Sequence, residues 1–420
     1  MENPERNLER RLGCFNSYVL IEYLNQLFER KKRFAVMEIS FENISLLEGQ
    51  GMEEKYESVR KILHLLDRFD DILIFKNINL SLVLISENAE ELEAAGKVIS
   101  DEFMSRDGLR REEMLILTER PDTFEDMNEL FQFLSFVHTE CGDETGKLIH
   151  ADEELLKKFK EKSLIKQEIT EALSEDRVEV FLQPIYSNEE KWFTSAEALV
   201  RIRKKDGGLL SPGIFIPAAE ENGQILELGE RVFEKVCDFL KNTEAVKLGI
   251  HYIEVNLSVV QCEKTDLSER LISIIEKYKI DPGLINLEIT ETASISARRT
   301  LLENMKKLIE YGFSFSLDDF GKGESNLMYV VEMPVSIVKL DYDMSKAFFN
   351  SPKARQVVRA VVSMAHGMEL KVVAEGIETQ QEVEDMYKEN LDYIQGFYYS
   401  KPLPVNEFLK FLQDKAVLRA

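Results

Sequence analysis

The sequence predicts two α/β domains, the second and larger being a TIM-type (β/α)8-like barrel. Three observations carry this. The 420 residues exceed one ordinary domain and suit two. Hydrophobic residues make up 44% and charged residues 31%, which describes a globular chain and excludes disordered, collagenous and coiled-coil classes. From Val178 onward, apolar stretches end in polar or acidic clusters and give way to helical stretches. The clusters recur 20 to 36 residues apart, the length of strand–helix units.

The smaller domain is expected over 1–150. Residues 19–28 have helical periodicity, and 34–39 read as a short buried strand. An amphipathic helix follows over 56–66. Strands at 71–75 and 80–85 flank a turn at Lys76-Asn77-Ile78-Asn79. A helix over 90–103 and a strand over 114–118 complete this α/β pattern. Residues 151–175 are charged and helical and read as a linker helix. The basic run Arg30-Lys31-Lys32-Arg33 most simply complements the dipole at a helix end.

The larger domain is expected over 176–420. Its apolar stretches end at Asn256, at Glu288 with Glu291, at Asp318-Asp319, at Lys339, at Glu375 with Glu378, and at Gln395. In a barrel of this type, reactive residues gather where strands end and loops begin. Four or more carboxylates at one mouth repel each other unless a divalent cation lies among them. An all-oxygen set favours magnesium, manganese or calcium over zinc. A lysine there can accept a proton or orient a water. Plainer roles exist for each residue taken alone. Lys339 could pair with Asp341, Asn256 could cap a helix with Ser258, and Glu375 could pair with Lys371. Gln395 could bond backbone only, and Asp318-Asp319 could form an Asx turn before Gly321.

Charge narrows the function. There are 53 basic and 77 acidic residues, a net charge of −24, and both halves are acidic, so a nucleic-acid partner is not expected. No run of 18 apolar residues occurs, so no membrane segment is expected, nor does an apolar leader follow Met1. Four scattered cysteines without a C-x-x-C pair suit a reducing, cytoplasmic setting. The five histidines share no metal-ligand spacing.

These clusters, with Glu197-Ala198-Leu199, the following Arg201, and Pro217-Ala218-Ala219-Glu220, make the second region resemble an EAL domain over about 183–408. EAL domains are the family of cyclic-di-GMP phosphodiesterases. The resemblance implies a barrel binding one or two Mg²⁺ or Mn²⁺ ions and hydrolysing cyclic di-GMP to linear pGpG. It implies Glu197, Asn256, Glu288 and Asp318 as metal ligands, with Asp319 for a second ion. Lys339 and Glu375 would position or deprotonate the attacking water, and Gln395 would complete that network. Gln183 and Arg201 would face the phosphates, with Glu291 and Glu378 in support. A homodimer through this domain is also implied.

One segment departs from the family pattern. Where the family usually reads Asp-Asp-Phe-Gly-Thr-Gly-Tyr-Ser-Ser-Leu, this chain has Lys322, Glu324 and Asn326 in place of Thr, Tyr and Ser. That change favours the rival expectation, a receptor or scaffold that binds cyclic di-GMP without cleaving it. The first region is similar to a GGDEF domain of the diguanylate cyclase family. The similarity rests on Leu12-Gly13-Cys14-Phe15-Asn16 and on Glu38, near that family's first metal-binding Asp. The signature turn is replaced by Asn77-Ile78-Asn79-Leu80-Ser81. Without its glycines and its Asp/Glu pair, a regulatory or dimerising domain is expected, not a cyclase.

Overall fold

Strand β1 (Ala35–Phe41) carries Met37 and Ile39 toward one face and Val36 toward the other, all buried. Both faces therefore need an apolar cover. The computed structural model supplies it. The structure describes residues 12–41, 50–77, 81–104, 113–118, 123–142, 144, 146–290, 298–322 and 327–419. The chain divides into two units, Met1–Ser163 and Leu164–Ala420, within the helix Glu153–Ser174.

In the first unit, β1 pairs antiparallel with β3 (Leu82–Ser86) and β4 (Glu113–Thr118). Strand β2 (Leu73–Lys76) lies antiparallel on β3, and β5 (Leu148–His150) lies parallel on β4. The order is β2-β3-β1-β4-β5. Helices Gln50–Leu66 and Ala89–Met104 cover one face through Val59, Ile62, Leu92 and Ile99. Helices Ser17–Glu29 and Met127–Glu140 cover the other through Leu20, Leu24, Phe133 and Val137. Asn16 caps the first of these, accepting from Tyr18 N at 3.1 Å and Val19 N at 3.2 Å. Lys31 and Lys32 follow that helix's C-terminus, and Lys32 pairs with Glu87 at 2.5 Å.

Helix Met127–Glu140 and strand β5 were not anticipated. The helix carries Met127, Leu130, Phe131, Leu134 and Val137 at helical spacing, so its period was present in the sequence. β5 has three residues, too few for a pattern. Glu38 sits mid-strand opposite Val83 and Ile116, and burial pushes its carboxyl up against the opposing effect of Ser81. Asn77 N donates to Ser81 O at 2.7 Å; Ile78, Asn79 and Leu80 lie outside the described residues.

The second unit is the barrel. β6 (Val178–Ser187) and β7 (Trp192–Arg203) form a hairpin, and β7 also pairs with the short β8 (Leu209–Leu210). Strands β9 (Tyr252–Leu257), β10 (Ile285–Thr290), β11 (Ser314–Phe320), β12 (Ile337–Leu340), β13 (Lys371–Ala374) and β14 (Tyr393–Gln395) continue from β7 in parallel succession. β14 pairs antiparallel with β6, which closes eight strands. β15 (Leu403–Pro404) also lies on β6. The predicted barrel is present, with one strand reversed. The short connection 188–191 allows only an antiparallel return from β6 to β7.

Helices such as Ile225–Asn242 and Pro352–Gly367 pack their apolar faces on the outside of the strands. Inside, Ile185, Ile337 and Val373 form an apolar layer with Tyr252 and Tyr393. A polar layer follows: Asn286 donates to Ser314 Oγ at 2.9 Å, and Ser316 donates to Asn286 Oδ1. The interior thus becomes more polar toward the C-terminal ends of the parallel strands. Among the described residues, no helix is long and apolar enough to cross a membrane.

Candidate active site

The strand register brings distant side chains level. Glu197 on β7 is level with Gln183 on the reversed β6, and Asn256 on β9 is level with Glu288 on β10. Asp318 on β11 is level with Thr290, at the last register position of β10. β11 runs through Asp318 to Phe320, past its predicted end. A register shift between Leu317 and Phe320, with Asp319 at φ 55°, lets successive aspartates leave the strand differently.

Lys339 is the centre. Its side chain is 0% exposed. Its ammonium lies 2.8 Å from Glu375 Oε1, 3.4 Å from Glu254 Oε2, 3.7 Å from Glu197 Oε2 and 4.0 Å from Asp318 Oδ1. It also donates to Glu288 Oε1. Asn256 Nδ2 donates to Glu197 Oε1 at 2.9 Å. Gln395 Nε2 donates to Glu197 Oε2 at 2.6 Å and to Gln183 Oε1 at 3.3 Å. Eight of the sequence-predicted residues therefore meet: Gln183, Glu197, Asn256, Glu288, Asp318, Lys339, Glu375 and Gln395.

The plainer roles are taken by other residues. Asp341 accepts from Asp343 N at 2.7 Å and caps a helix, leaving Lys339 to the cluster. Lys371 pairs with Asp392 at 2.8 Å, leaving Glu375. Ser258 is the N-cap of a short helix and its N–H donates to Gln261 Oε1 at 3.1 Å, leaving Asn256. Glu378 sits apart from the cluster, 3.9 Å from Lys346 Nζ, and Glu291 lies outside the described residues. Asp319 lies beside the cluster and meets Lys322 Nζ at 3.1 Å and 3.2 Å.

Glu254 was not anticipated. It is fully buried two residues before Asn256, and that spacing puts both side chains on one face of β9. The i, i+2 relation to Asn256 was the available signal.

Burial sets the electrostatics. It pushes Glu288 well above the usual carboxylate range, raises Glu254 and Asp318, and lifts Glu375 to about 8 despite Lys339. Glu197 differs: burial also pushes it up, but Lys339, Gln395 and Asn256 outweigh that and leave it below its ordinary value. Burial disfavours the Lys339 charge, yet Glu197, Glu288, Glu375 and Asp318 hold it well above the ordinary lysine range.

Beside this cluster opens a cavity of about 300 Å³, lined by Glu197, Arg201, Ile216, Glu220, Asn256 and Gln261 among others. Arg201 Nη1 donates to Val200 O at 2.8 Å, and its guanidinium stands 5.6 Å from the Phe181 ring centre.

Among the described residues, no three acidic, histidine or cysteine side chains already stand as a cation cage, because Lys339 holds the carboxylates. In chemistry the donors fit a hard divalent ion. They are oxygens, and Asp318 Oδ1 and Glu288 Oε2 are buried without a hydrogen-bond partner. Five carboxyl groups share one ammonium, and burial raises four of them, so a further cation would favour their ionised form.

Residues 166–402 match the EAL domain family, so the chain belongs to that family. It is 31% identical over 249 residues to the signaling protein YkoW of Bacillus subtilis, covering 59% of this chain and 31% of YkoW. It is 29% identical over 273 residues to the cyclic di-GMP phosphodiesterase NbdA of Pseudomonas aeruginosa, covering 65% of this chain and 35% of NbdA. The matched part thus spans about a third of those relatives' lengths.

Among solved structures, a complex of the PaMucR phosphodiesterase with c-di-GMP aligns at a TM-score of 0.55 and 27% identity, covering 58% of this chain and 99% of that one. The S helix–GGDEF–EAL structure of Vibrio cholerae LapD aligns at a TM-score of 0.52, covering 94% of this chain and 96% of that one. At 17% identity, the LapD match speaks to the fold alone.

Proposed function

We propose that the chain hydrolyses cyclic di-GMP to linear pGpG in a reaction that depends on Mg²⁺ or Mn²⁺. One observation carries this reading: Glu197, Glu288, Asp318 and Glu375 surround Lys339 at one end of the barrel of an EAL-family chain. The relatives named as cyclic di-GMP phosphodiesterases support it.

Glu197, Asn256, Glu288 and Asp318 would hold one ion, and Asp319 a second. Bound there, a divalent ion supplies Lewis-acid activation of water and neutralises charge at the phosphodiester. The rest falls to the chain's own side chains. Glu375, beside Lys339 at the mouth, is the carboxylate placed to take a proton from water. Lys339 pairs directly with that carboxylate at 2.8 Å and would orient it toward the water. Gln395 fixes Glu197. Arg201 presents a fork of donors to a phosphate in the adjoining cavity. Gln183 steadies Gln395 from the reversed strand. Glu291 and Glu378 support the neighbouring loops. The first unit regulates or dimerises, and the barrel pairs in a homodimer.

The test is incubation of the full chain with cyclic di-GMP and Mg²⁺ or Mn²⁺. pGpG should form and should vanish in Glu197→Ala. The pairing of Lys322 with Asp319 favours a second reading, a cyclic-di-GMP receptor or scaffold. Tight binding with no pGpG at any metal concentration would establish that reading instead.

A further inference from the structure

Asp319 carries a cation of its own outside the Lys339 cluster. Lys322 Nζ lies 3.1 Å from Asp319 Oδ1 and 3.2 Å from Oδ2, so it bridges both oxygens. The backbone fixes the approach. Lys322 N donates to Asp319 O at 3.2 Å across a tight turn in which Asp319 has φ 55° and Gly321 φ 97°. Gly321 supplies the left-handed residue this turn needs; a Cβ there would meet only the flexible end of Met344. Asp318, one residue earlier, faces Lys339 and has a buried oxygen without a partner. The two adjacent aspartates are therefore unequal: one has an open oxygen, the other is covered by an ammonium.

We infer that Lys322 is a tethered cation that competes with the second divalent ion for Asp319. This inference rests on the metal-dependent reading above and deepens it. Lys322 bonds Asp319 directly but reaches Asp318 only through its charge, so the first ion feels it less than the second. The second must displace an ammonium that stays at high local concentration. The pair is exposed, with 59% of the Lys322 side chain accessible, so displacement is achievable at moderate cost. Loading of the second position, and with it turnover, then needs about threefold more free divalent ion than in a chain with a neutral residue at 322.

The experiment is Mn²⁺ titration of the full chain without substrate, with free Mn²⁺ read by electron paramagnetic resonance, followed by initial rates at matched Mn²⁺ levels. Wild type should show one tight ion and one weak ion. Lys322→Thr and Lys322→Gln should tighten the weak ion about threefold, the effect expected of an exposed lysine–carboxylate pair. Lys322→Arg should leave it weak, and Asp319→Asn should remove it. Two tight ions in wild type, or a second ion unmoved by Lys322→Thr while the first still binds, overturns the inference and leaves the hydrolase reading standing. Absence of any Mn²⁺ binding, in wild type and variants alike, overturns both.

Discussion

The Lys339 ammonium lies 2.8 Å from Glu375 Oε1, and no solvent reaches the lysine. One cation thus restrains a ring of carboxylates drawn from five other strands or strand ends. Removing it leaves those carboxylates facing each other in a buried place, a change that typically costs about 3–5 kcal/mol. Lys339→Met should therefore lower the thermal midpoint of the metal-free protein markedly. Mn²⁺ should restore part of that loss, because a divalent ion can replace the missing charge. Hydrolysis should stay at least about 100-fold down, the scale of a lost proton-transfer or water-orienting group. Scanning calorimetry with and without Mn²⁺, paired with pGpG formation, checks both parts. Near-normal turnover in this variant would falsify the role given to Lys339.

Gly396 follows Gln395 and lies against the turn after Glu375. A Cβ there would come within 2.6 Å of the Ile377 carbonyl carbon and closer to its oxygen and nitrogen. The backbone is pinned at this crossing: Ile377 N donates to Gln395 O at 3.2 Å, and Tyr398 N donates to Ile377 O at 3.0 Å. Backbone cannot swing aside as a long side chain can. Gly396→Ala should push Gln395 off Glu197 and shift Glu375 relative to Lys339. Overpacking of this kind costs about 1–3 kcal/mol. The expected outcome is a modest drop in melting temperature with a disproportionate loss of hydrolysis, at least about tenfold. A variant with wild-type rate and a lowered melting temperature would show that the crossing serves stability alone.

Much of this site is legible in the sequence because it sits at strand ends. An apolar stretch closed by Glu288, Asp318, Lys339 or Glu375 marks both the strand and the residue it delivers. What stayed hidden has physical causes. The direction of β6 leaves no mark on composition, and only the short hairpin connection to β7 reveals it. Glu254 lies inside an apolar stretch, where a buried carboxylate is unexpected until a buried cation is known to lie 3.4 Å away. Glu378 shares the acidic cluster of Glu375 in sequence, yet the turn at Gly376, with φ 70°, sends it toward Lys346. In the first unit, the helix Met127–Glu140 is itself legible: buried Leu130, Leu134 and Val137 keep helical spacing, with Asn128, Gln132 and Ser135 on the other side.

Arg201 borders the cavity beside Glu197 and donates to a backbone carbonyl, Val200 O. A charge-assisted hydrogen bond contributes about 1.5–3 kcal/mol. Arg201→Ala should therefore weaken cyclic di-GMP binding by about 10- to 100-fold, and Arg201→Lys should recover only part, since an ammonium cannot match two oxygens at once. Calorimetric titration with cyclic di-GMP measures this. Equal affinity for wild type and Arg201→Ala would remove the residue from the binding surface.

Asp392 ties the opposite end of the barrel together. Its Oδ2 accepts from Val372 N at 2.9 Å and lies 2.8 Å from His366 Nε2, while Oδ1 accepts from Lys371 Nζ at 2.8 Å. Its backbone joins β13 to β6, donating to Val372 O at 3.1 Å and accepting from Asn188 N at 2.9 Å. Burial pushes the Asp392 carboxyl up, but the bonds from Lys371, His366 and Val372 prevail and leave it below its ordinary value. A carboxyl depressed in the folded state stabilises fully above its unfolded pKa, about 3.9, and that contribution fades as pH falls through the folded value. Asp392→Asn should therefore lower the melting temperature at pH 7, by an amount equivalent to about 1–2 kcal/mol. The gap between wild type and variant should narrow once pH drops below about 4. Hydrolysis at pH 7 and moderate temperature should be little changed, because this network lies at the far ends of the strands from Lys339. Melting curves from pH 7 to pH 3 test the sign directly: a gap that widens toward acid would mean that Asp392 is held protonated in the fold, the reverse of the present account.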